Sequence, residues 1–371
     1  MPDLYAFPVL LALTDNGFCS TIYRDRDPLL GFASMTGRVT LMDVARHAGV
    51  SRATASYVIT GTGRVSTATR QRVFASMEAL GYVYHQGAAS LRRQTARTVG
   101  VVVPNIDRLF FGEVLIGLES TLTTSGYMSL MVSTRDNVDH QARAVRMLRE
   151  HQVAALAIIP ATGSGAGLID HIHSWGAPTV FLTRYIAGFA EPYVGSDEVR
   201  GGYLAASHLI QSHQCRSIAY VGGPELGVAR IDRLEGVRLA IGESNAEIGL
   251  TDSPSASTVE AGLAIGRTLV AGELPQGIMC HNDTVAMGLE RALHDAGRVG
   301  ETRVIGYDDV SAAQAWVPAL TSVATNGRRL GEAAAEALFA VISGAEETVR
   351  SHVEPPRLIV RESCGEHSEP E

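Results

Sequence analysis

The chain has 371 residues, of which 46% are hydrophobic and 19% charged, and its net charge is −8. This composition excludes a disordered protein, and the length exceeds what one small core needs. No uninterrupted apolar run reaches membrane-spanning length, and no basic residue precedes the apolar stretch 7–13, so we expect neither a transmembrane helix nor a secretory signal. The four cysteines show no metal-ligand or redox spacing, which favours the reducing cytoplasm and predicts no metal site.

The pattern of residues changes four times along the chain. Residues 1–34 show no periodicity, and we expect a disordered extension there. Residues 35–84 have the spacing of three short helices, and residues 85–97 form a polar, arginine-rich connector. Strand and helix patterns then alternate over residues 98–366, and residues 367–371 form a tail.

Helix start and stop signals divide the first module. Thr40 is placed to cap a first helix that Gly49 ends, and Ser51 to cap a second helix over residues 52–59. Ser66 is placed to cap a third helix that ends at Gly81. Apolar residues at helical spacing predict one small core, formed by Val44, Ala48, Val50, Ala55, Val58, Val65, Val73, Met77 and Leu80.

Positive charge is concentrated in this module and its connector. Residues 36–97 contain nine arginines and two acids, whereas the rest of the chain is acidic. A basic head on an acidic body is typical of nucleic-acid binding. Two short helices joined by a tight glycine turn also predict a helix-turn-helix, whose second helix enters the DNA major groove. The alternative is a helical subdomain without a DNA role.

The second helix carries the candidate base-reading residues. If Ala55 and Val58 face the core, Arg52, Ala53 and Tyr57 face outward. Arginine can form a bidentate contact with guanine, and an alanine methyl can contact thymine. Hydroxyls near a helix N-terminus suit backbone phosphates. The predicted DNA-binding residues of this module are Thr40, Ser51, Arg52, Ala53, Thr54, Ser56, Tyr57 and Arg64.

The large module has an α/β pattern. Near-continuous apolar runs predict strands that are covered on both faces, at residues 98–103, 127–133, 155–160, 178–182, 217–222, 277–280 and 303–307. Amphipathic stretches lie between them at residues 112–125, 139–151, 198–212 and 284–295. This alternation predicts parallel sheets with helices on both sides, arranged as one large sheet or two smaller ones. Two lobes would leave a ligand cleft at the carboxyl ends of the strands.

An ordered series of motifs resembles one family. The first module contains TLMDVARHAGVSRATAS, then VSTATRQRV, then LGY. The large module contains RLFFGEVLIGLE, VGSDEVRGGYLAASHLI, HNDTVAMGLERAL and VIGYDDV in the same order. Together they resemble the LacI/GalR family of lactose, galactose and purine repressors, and the likeness covers about Thr40 to Ser363.

The resemblance implies a sequence-specific transcription regulator rather than an enzyme, with repression as the commoner family role. It implies a homodimer that binds double-stranded operator DNA near the nucleoid, without a cofactor. It also implies a two-lobed sensor similar to periplasmic sugar-binding proteins. Lobe one would comprise about residues 98–194 and 326–352, and lobe two about 195–325 and 353–366. A hinge would order on operator DNA and insert Leu91 into the minor groove.

The family positions also indicate an effector site. Aromatic faces with polar groups suit a sugar-like small molecule. The predicted effector-binding residues are Phe110, Phe111, Thr183, Arg233, Asn282 and Asp308. Plain helix packing remains an alternative for Phe110 and Phe111, and a turn for Asp308. Asp283 is predicted to be a helix cap instead of a ligand contact.

Several positions depart from the family pattern. Tyr84 and His85 replace the Pro-Asn that usually opens the hinge, and Gly87 lies inside the expected hinge helix, so we expect this hinge to order less readily. Thr183 replaces an aspartate found in many sugar-responsive members. Leu109 replaces a proline. Because members begin just before the headpiece, we expect translation to start at Met35.

Enzyme motifs are weak in this chain. The glycines of residues 163–167 lack the spacing of a dinucleotide loop. Cys280 and His281 are adjacent on a predicted strand, so their side chains point to opposite faces and do not pair. The remaining alternatives are a periplasmic-type binding protein and a cytosolic sugar-processing enzyme. The missing secretory signal and the basic head argue against the first.

Overall fold

The computed structural model describes residues 39–82, 97–344 and 351–365, which form two compact units. We call residues 39–82 the headpiece and the remaining described residues the sensor. The predictions for residues 1–34, the connector with Leu91 and Gly87, and the tail lie outside the described residues.

The headpiece consists of three helices around one core. They are α1 (Leu41–His47), α2 (Arg52–Thr60) and α3 (Thr67–Ala79). Thr40, Ser51 and Ser66 cap them, because each side chain accepts a backbone N–H one turn further on. Gly49 has φ +65° in the turn between α1 and α2, a conformation that favours glycine. All nine predicted core residues belong to the observed core, so this prediction is confirmed.

The sensor alternates strands and helices. Its strands are β1 (Thr98–Val103), β2 (Met128–Ser133), β3 (Ala155–Ile158), β4 (Thr179–Leu182), β5 (Tyr193–Ser196), β6 (Ser217–Val221), β7 (Gly249–Ser253), β8 (Gly277–Cys280), β9 (Arg303–Asp308), β10 (Thr321–Ala324), β11 (His352–Glu354) and β12 (Arg357–Ile359). Its helices are α4 (Leu109–Thr124), α5 (Val138–Glu150), α6 (Ala166–Trp175), α7 (Glu198–Gln211), α8 (Val228–Glu243), α9 (Val259–Val270), α10 (Asp283–Asp295), α11 (Ser311–Ala315) and α12 (Gly327–Ile342), followed by a 3-10 helix (Glu362–Cys364).

The strands form two six-stranded sheets, which define two lobes. Lobe one has the order β11-β5-β4-β3-β1-β2, and lobe two has the order β12-β10-β9-β8-β6-β7. Every pairing is parallel except that of β10 with β12. The predicted α/β class with parallel sheets is confirmed, in its two-sheet form. The largest difference from a predicted boundary is in α4, which begins at Leu109, three residues before the predicted start.

Two glycines allow α7 and α8 to pack closely. These helices carry Glu198 and Arg233, which line the cleft between the lobes. A Cβ on Gly202 would lie 2.0 Å from the Arg233 carbonyl oxygen, and one on Gly236 would lie 1.9 Å from the Val199 carbonyl oxygen. Only glycine permits this approach of the two backbones. The close packing places Glu198, at the start of α7, beside the side chain of Arg233 on α8.

None of the helices in the described ranges is long and apolar enough to cross a membrane.

Glu290 on α10 is buried in lobe two, and its Oε2 atom has no hydrogen-bond partner among the described residues. Burial raises the pKa of this carboxyl to about 7. Its folded-state pKa therefore exceeds the unfolded value, so its contribution to stability is complete below pH 4.5 and is lost as the pH rises towards 7.

We expect Glu290→Gln to raise the free energy of unfolding by about 3 kcal/mol at pH 8, and by less than about 1 kcal/mol at pH 5. Urea unfolding at both pH values measures this difference. Glu273→Gln, which changes an exposed glutamate of the same lobe, is the control and should alter stability little at either pH. Equal gains from Glu290→Gln at pH 5 and pH 8 would contradict the pKa shift.

Candidate nucleic-acid interface and effector cleft

The outward face of α2 presents the predicted base-reading residues. Arg52 and Ala53 are exposed at the first turn, and Tyr57 is 49% exposed one turn later. Ala55 and Val58 are buried in the headpiece core, as predicted. Arg52 forms no ion pair with another described residue, so its guanidinium is available to a partner. Its contact with DNA stays a prediction.

Local hydrogen bonds hold the polar residues of this face. The Ser51 hydroxyl accepts the Thr54 backbone N–H at 3.0 Å, and the two hydroxyls lie 2.9 Å apart. At the start of α1, the Thr40 hydroxyl donates to the Asp43 carboxylate at 2.7 Å. Ser56 is half-buried on α2. These contacts fix the two helix N-termini, whose N–H groups suit phosphate oxygens.

The loop after α2 supports Tyr57. Gly63 has φ +83°, and a Cβ there would lie 3.3 Å from Cγ of the Tyr57 ring. Arg64 is the next residue and is exposed. The backbone just before Arg64 therefore lies against the Tyr57 ring.

Loss of the cap should loosen the reading helix. We expect Ser51→Ala to cost about 1 kcal/mol and to speed hydrogen exchange of the α2 amides about fivefold, because one N-terminal N–H group loses its acceptor. Mass spectrometry of exchange in the full chain measures this effect. Ser66→Ala, which removes the equivalent cap of α3, is the matched control and should loosen α3 instead. Unchanged exchange in α2 would rule out the cap as a determinant of its stability.

The sensor brings all six predicted effector residues into one cleft between its lobes. Lobe one contributes Phe110 and Phe111 from the start of α4, and Thr183 from the end of β4. Lobe two contributes Arg233, Asn282 and Asp308. The strand-derived members lie at carboxyl ends of parallel strands, where open α/β sheets bind ligands. The grouping supports an effector role, which stays a prediction.

Arg233 is a buried residue that lines the cleft. Its Nε donates to Glu198 Oε2 at 2.6 Å, and its Nη1 donates to the carbonyl oxygen of His281. Its guanidinium lies 3.5 Å from the centre of the Tyr307 ring and 3.7 Å from the Asp308 carboxylate. Burial opposes its charge most strongly, but Glu198, Tyr307 and Asp308 together outweigh burial and raise the pKa of Arg233. Arg233 thus organises the other polar groups.

The two phenylalanines have different surroundings. Phe111 is buried in the core of lobe one. The centre of its ring lies 5.7 Å from the guanidinium carbon of Arg108 and 5.9 Å from that of Arg184. Phe110 is partly buried and packs against the cores of both lobes. Both residues therefore pack within the fold while bordering the cleft, so packing and ligand contact are compatible.

Three polar side chains have unused hydrogen-bonding capacity towards the cleft. The Thr183 hydroxyl is buried without a partner among the described residues. The Asn282 Oδ1 accepts the Val285 N–H as the N-cap of α10, which leaves its NH₂ group for a ligand. Burial raises the pKa of the Asp308 carboxyl well above its usual value. Thr183 and Asp308 also have positive φ, +53° and +96°, a strain that often marks functional sites.

The prediction that Asp283 caps α10 was wrong. Asn282 holds the cap position, and Asp283 is fully buried. Asp283 accepts hydrogen bonds from the Ser322 hydroxyl at 2.6 Å and from the Val310 N–H at 2.9 Å. It therefore ties α10 to the strand ends behind the cleft.

The sequence reasoning missed seven other residues that line the cleft, and four of these have ionisable side chains: Arg108, Arg184, Glu198 and His281. Arg108, Arg184 and His281 are close in sequence to predicted members, which was an available signal. Glu198 gives no such signal, because it joins Arg233 only through tertiary folding. Burial and the nearby arginines lower the pKa of His281 well below its usual value, so its imidazole is neutral.

The cleft is narrow, and the lobes contact each other beside it. The free space is about 50 Å³, far below the ~300–1,000 Å³ of typical ligand pockets. The Tyr185 hydroxyl of lobe one donates to Asp232 of α8 at 3.0 Å, and the Ser311 N–H of lobe two donates to Glu113 of α4 at 3.3 Å. Entry of a ligand therefore requires these lobes to separate or the arginines to move.

Comparisons with known proteins place the chain in a family. The model of bacterial regulatory proteins of the lacI family matches residues 40–84, and a periplasmic binding protein-like domain matches residues 206–364. The HTH-type transcriptional repressor PurR of Vibrio vulnificus (strain CMCP6) is 32% identical over 339 residues, which cover 87% of this chain and 98% of that protein. The chain belongs to the LacI family of bacterial transcription regulators.

Solved structures agree with this assignment. The lac repressor dimer bound to operator and the anti-inducer ONPF has a TM-score of 0.79 at 24% identity, covering 89% of this chain and all of that one, a likeness of fold. The transcriptional regulator CelR in complex with cellobiose has a TM-score of 0.63 at 29% identity, covering 88% of this chain and all of that one.

Proposed function

We propose that this protein is a transcriptional repressor that binds operator DNA through its headpiece and binds a small-molecule effector in the cleft of its sensor. The observation that carries the proposal is the convergence of the six predicted residues at one interlobe cleft, in a chain whose headpiece exposes Arg52, Ala53 and Tyr57. The PurR relative is named a repressor, which supports this direction of regulation.

On the DNA side, we propose that a homodimer reads a pseudo-palindromic operator, one headpiece per half-site. The lac repressor, with the same fold, was solved as a dimer bound to its operator. Arg52 and Ala53 would read base edges, while the capped N-termini of α1 and α2 would contact phosphates. Leu91 would insert into the minor groove from the connector.

On the effector side, we propose a sugar-like molecule. The Asp308 carboxyl, the Asn282 amide and the Thr183 hydroxyl would bind hydroxyl groups, and Phe110 would contact an apolar face. CelR, a relative of the same fold, was solved with cellobiose. A molecule that contacts both lobes changes their separation, and we propose that this change alters how two headpieces are held.

We propose no enzymatic activity for this chain. Cys280 is buried, and burial raises its pKa well above the usual value, which makes the thiol a poor nucleophile. The neutral His281 ring lies 3.0 Å from the Tyr220 hydroxyl instead of a nucleophile.

Selection of duplexes from a random pool tests the DNA-binding proposal. We expect the protein to enrich one pseudo-palindromic sequence, with binding that weakens steeply as salt rises because phosphate contacts release counterions. Binding to all duplexes with equal affinity, at every salt concentration, would refute it.

The variant Asp308→Ala distinguishes effector binding from DNA binding. We expect the variant to lose the thermal shift that an effector gives the wild type in a screen of sugars and nucleobases, because the carboxyl that faces the cleft is gone. Its selection of operator DNA should be unchanged, since Asp308 lies in the sensor. Loss of both properties would assign Asp308 a role in folding.

A further inference from the structure

Two histidines and a cysteine meet at the edge of lobe two opposite the cleft. His208 lies on the last turn of α7, His213 lies in the loop before β6, and Cys364 ends the 3-10 helix. The Cys364 thiol also lies 2.9 Å from the hydroxyl of Thr321, the first residue of β10. The cluster is therefore at the amino-terminal ends of β6 and β10, whereas the effector cleft is at carboxyl ends.

Two distances within the cluster match those around one tetrahedral metal ion. The Nε2 atoms of His208 and His213 are 3.3 Å apart, and Cys364 Sγ is 3.6 Å from His208 Nε2. All three ligand atoms lie within 4.8 Å of one another. Tetrahedral zinc, with bonds of ~2.05 Å to nitrogen and ~2.3 Å to sulfur, requires edges of about 3.3 Å and about 3.6 Å.

We propose that His208, His213 and Cys364 bind a divalent zinc ion, with water as the fourth ligand. Imidazole nitrogen and thiolate sulfur are the ligands that zinc prefers. Cys364 is buried and both histidines are partly exposed, so an ion would enter from the side of the histidines. Hydrogen bonds among the three side chains are the competing explanation of the same distances.

The site would join parts of lobe two that are distant in sequence. His208 and Cys364 are 156 residues apart, and Cys364 lies in the last described segment of the chain. A bound ion would fasten this segment to α7, whose first residue, Glu198, pairs with Arg233 in the cleft. Metal binding would therefore stabilise the sensor, since an ion that binds only the folded state raises its stability.

Cobalt absorption tests the site in the full-length protein. The protein is stripped with a chelator, kept reduced and titrated with Co²⁺. We expect one equivalent of Co²⁺ to give a thiolate-to-cobalt charge-transfer band and the intense d–d bands of tetrahedral cobalt. We expect Zn²⁺ to displace the bound Co²⁺ and to raise the melting temperature of the protein. Absence of the charge-transfer band in the wild type would overturn the proposal.

Variants assign the band to the three residues. We expect Cys364→Ala to abolish it, and His213→Gln, in a partly exposed loop, to weaken Zn²⁺ binding by more than the ~10–100-fold typical of an outer-shell partner. Cys215→Ala is the control, because it removes a buried cysteine of the same lobe from outside the cluster and should leave the band unchanged. Persistence of the band in Cys364→Ala, or its loss in Cys215→Ala, would overturn the assignment.

Discussion

Replacing Arg233 with alanine is expected to lower the free energy of unfolding of the sensor by about 3–5 kcal/mol. The side chains of Arg233, Glu198 and Asp308 are all less than 10% exposed. Removal of the guanidinium leaves the Glu198 carboxylate and the His281 carbonyl buried without their donor, and it also removes the contact with the Tyr307 ring. Urea unfolding followed by the fluorescence of Trp316, in a Trp175→Phe background, reports on lobe two.

Two further variants distinguish charge pairing from lost packing. Arg238→Ala removes an exposed arginine from the same helix and should change stability by less than about 0.5 kcal/mol. Adding Glu198→Gln to Arg233→Ala should recover part of the loss, because it removes the uncompensated charge. The free energy of unfolding that Glu198→Gln removes from the wild type is compared with the amount that it removes from Arg233→Ala. If the two amounts are equal, the two residues are not coupled.

Arg52→Ala is expected to weaken operator binding by about 1–3 kcal/mol and to broaden the preferred base at one position of each half-site. The expectation follows from the exposed guanidinium at the first turn of α2, which is free of ion pairs within the described residues. Selection of duplexes with the variant, followed by affinity measurements on single-base changes, tests both parts.

The exposed Arg72 of α3 provides the matched comparison. Arg72→Ala removes the same charge from the same unit, but away from the reading helix. It should reduce affinity for all sequences alike, if at all, and leave the base preference intact. An unchanged base preference in Arg52→Ala would show that another residue reads that position.

The sequence was most informative where structure depends on near neighbours. The caps at Thr40, Ser51 and Ser66 use a hydrogen bond to the next turn, so a local pattern identifies them. Seven strands were predicted because they are continuous apolar runs. Six of them are buried, but β2 is a partly exposed edge strand, so its predicted cover on both faces was wrong. Five other strands were not, namely β5, β7, β10, β11 and β12. β7 is a partly exposed edge strand, β11 and β12 have three residues each, and β10 buries polar residues.

The sequence predicted six of the residues that line the effector cleft, but it did not predict the contacts among them. The resemblance supplied the six cleft residues, and the structure brings them together. No spacing shows that Arg233 meets Glu198 and Tyr307, because those contacts depend on how α7, α8 and β9 pack. The cluster of His208, His213 and Cys364 is a stronger example, since two helix ends and a loop form it only after folding.

We propose that one chain couples a DNA-reading helix to a ligand cleft. The most direct test is the affinity of the protein for its selected operator, measured with and without a saturating effector from the thermal-shift screen. We predict a change of about 5–150-fold, equivalent to about 1–3 kcal/mol, and a reciprocal change in effector affinity when operator is bound. Equal operator affinity in the presence and absence of a ligand that occupies the cleft would contradict the claim.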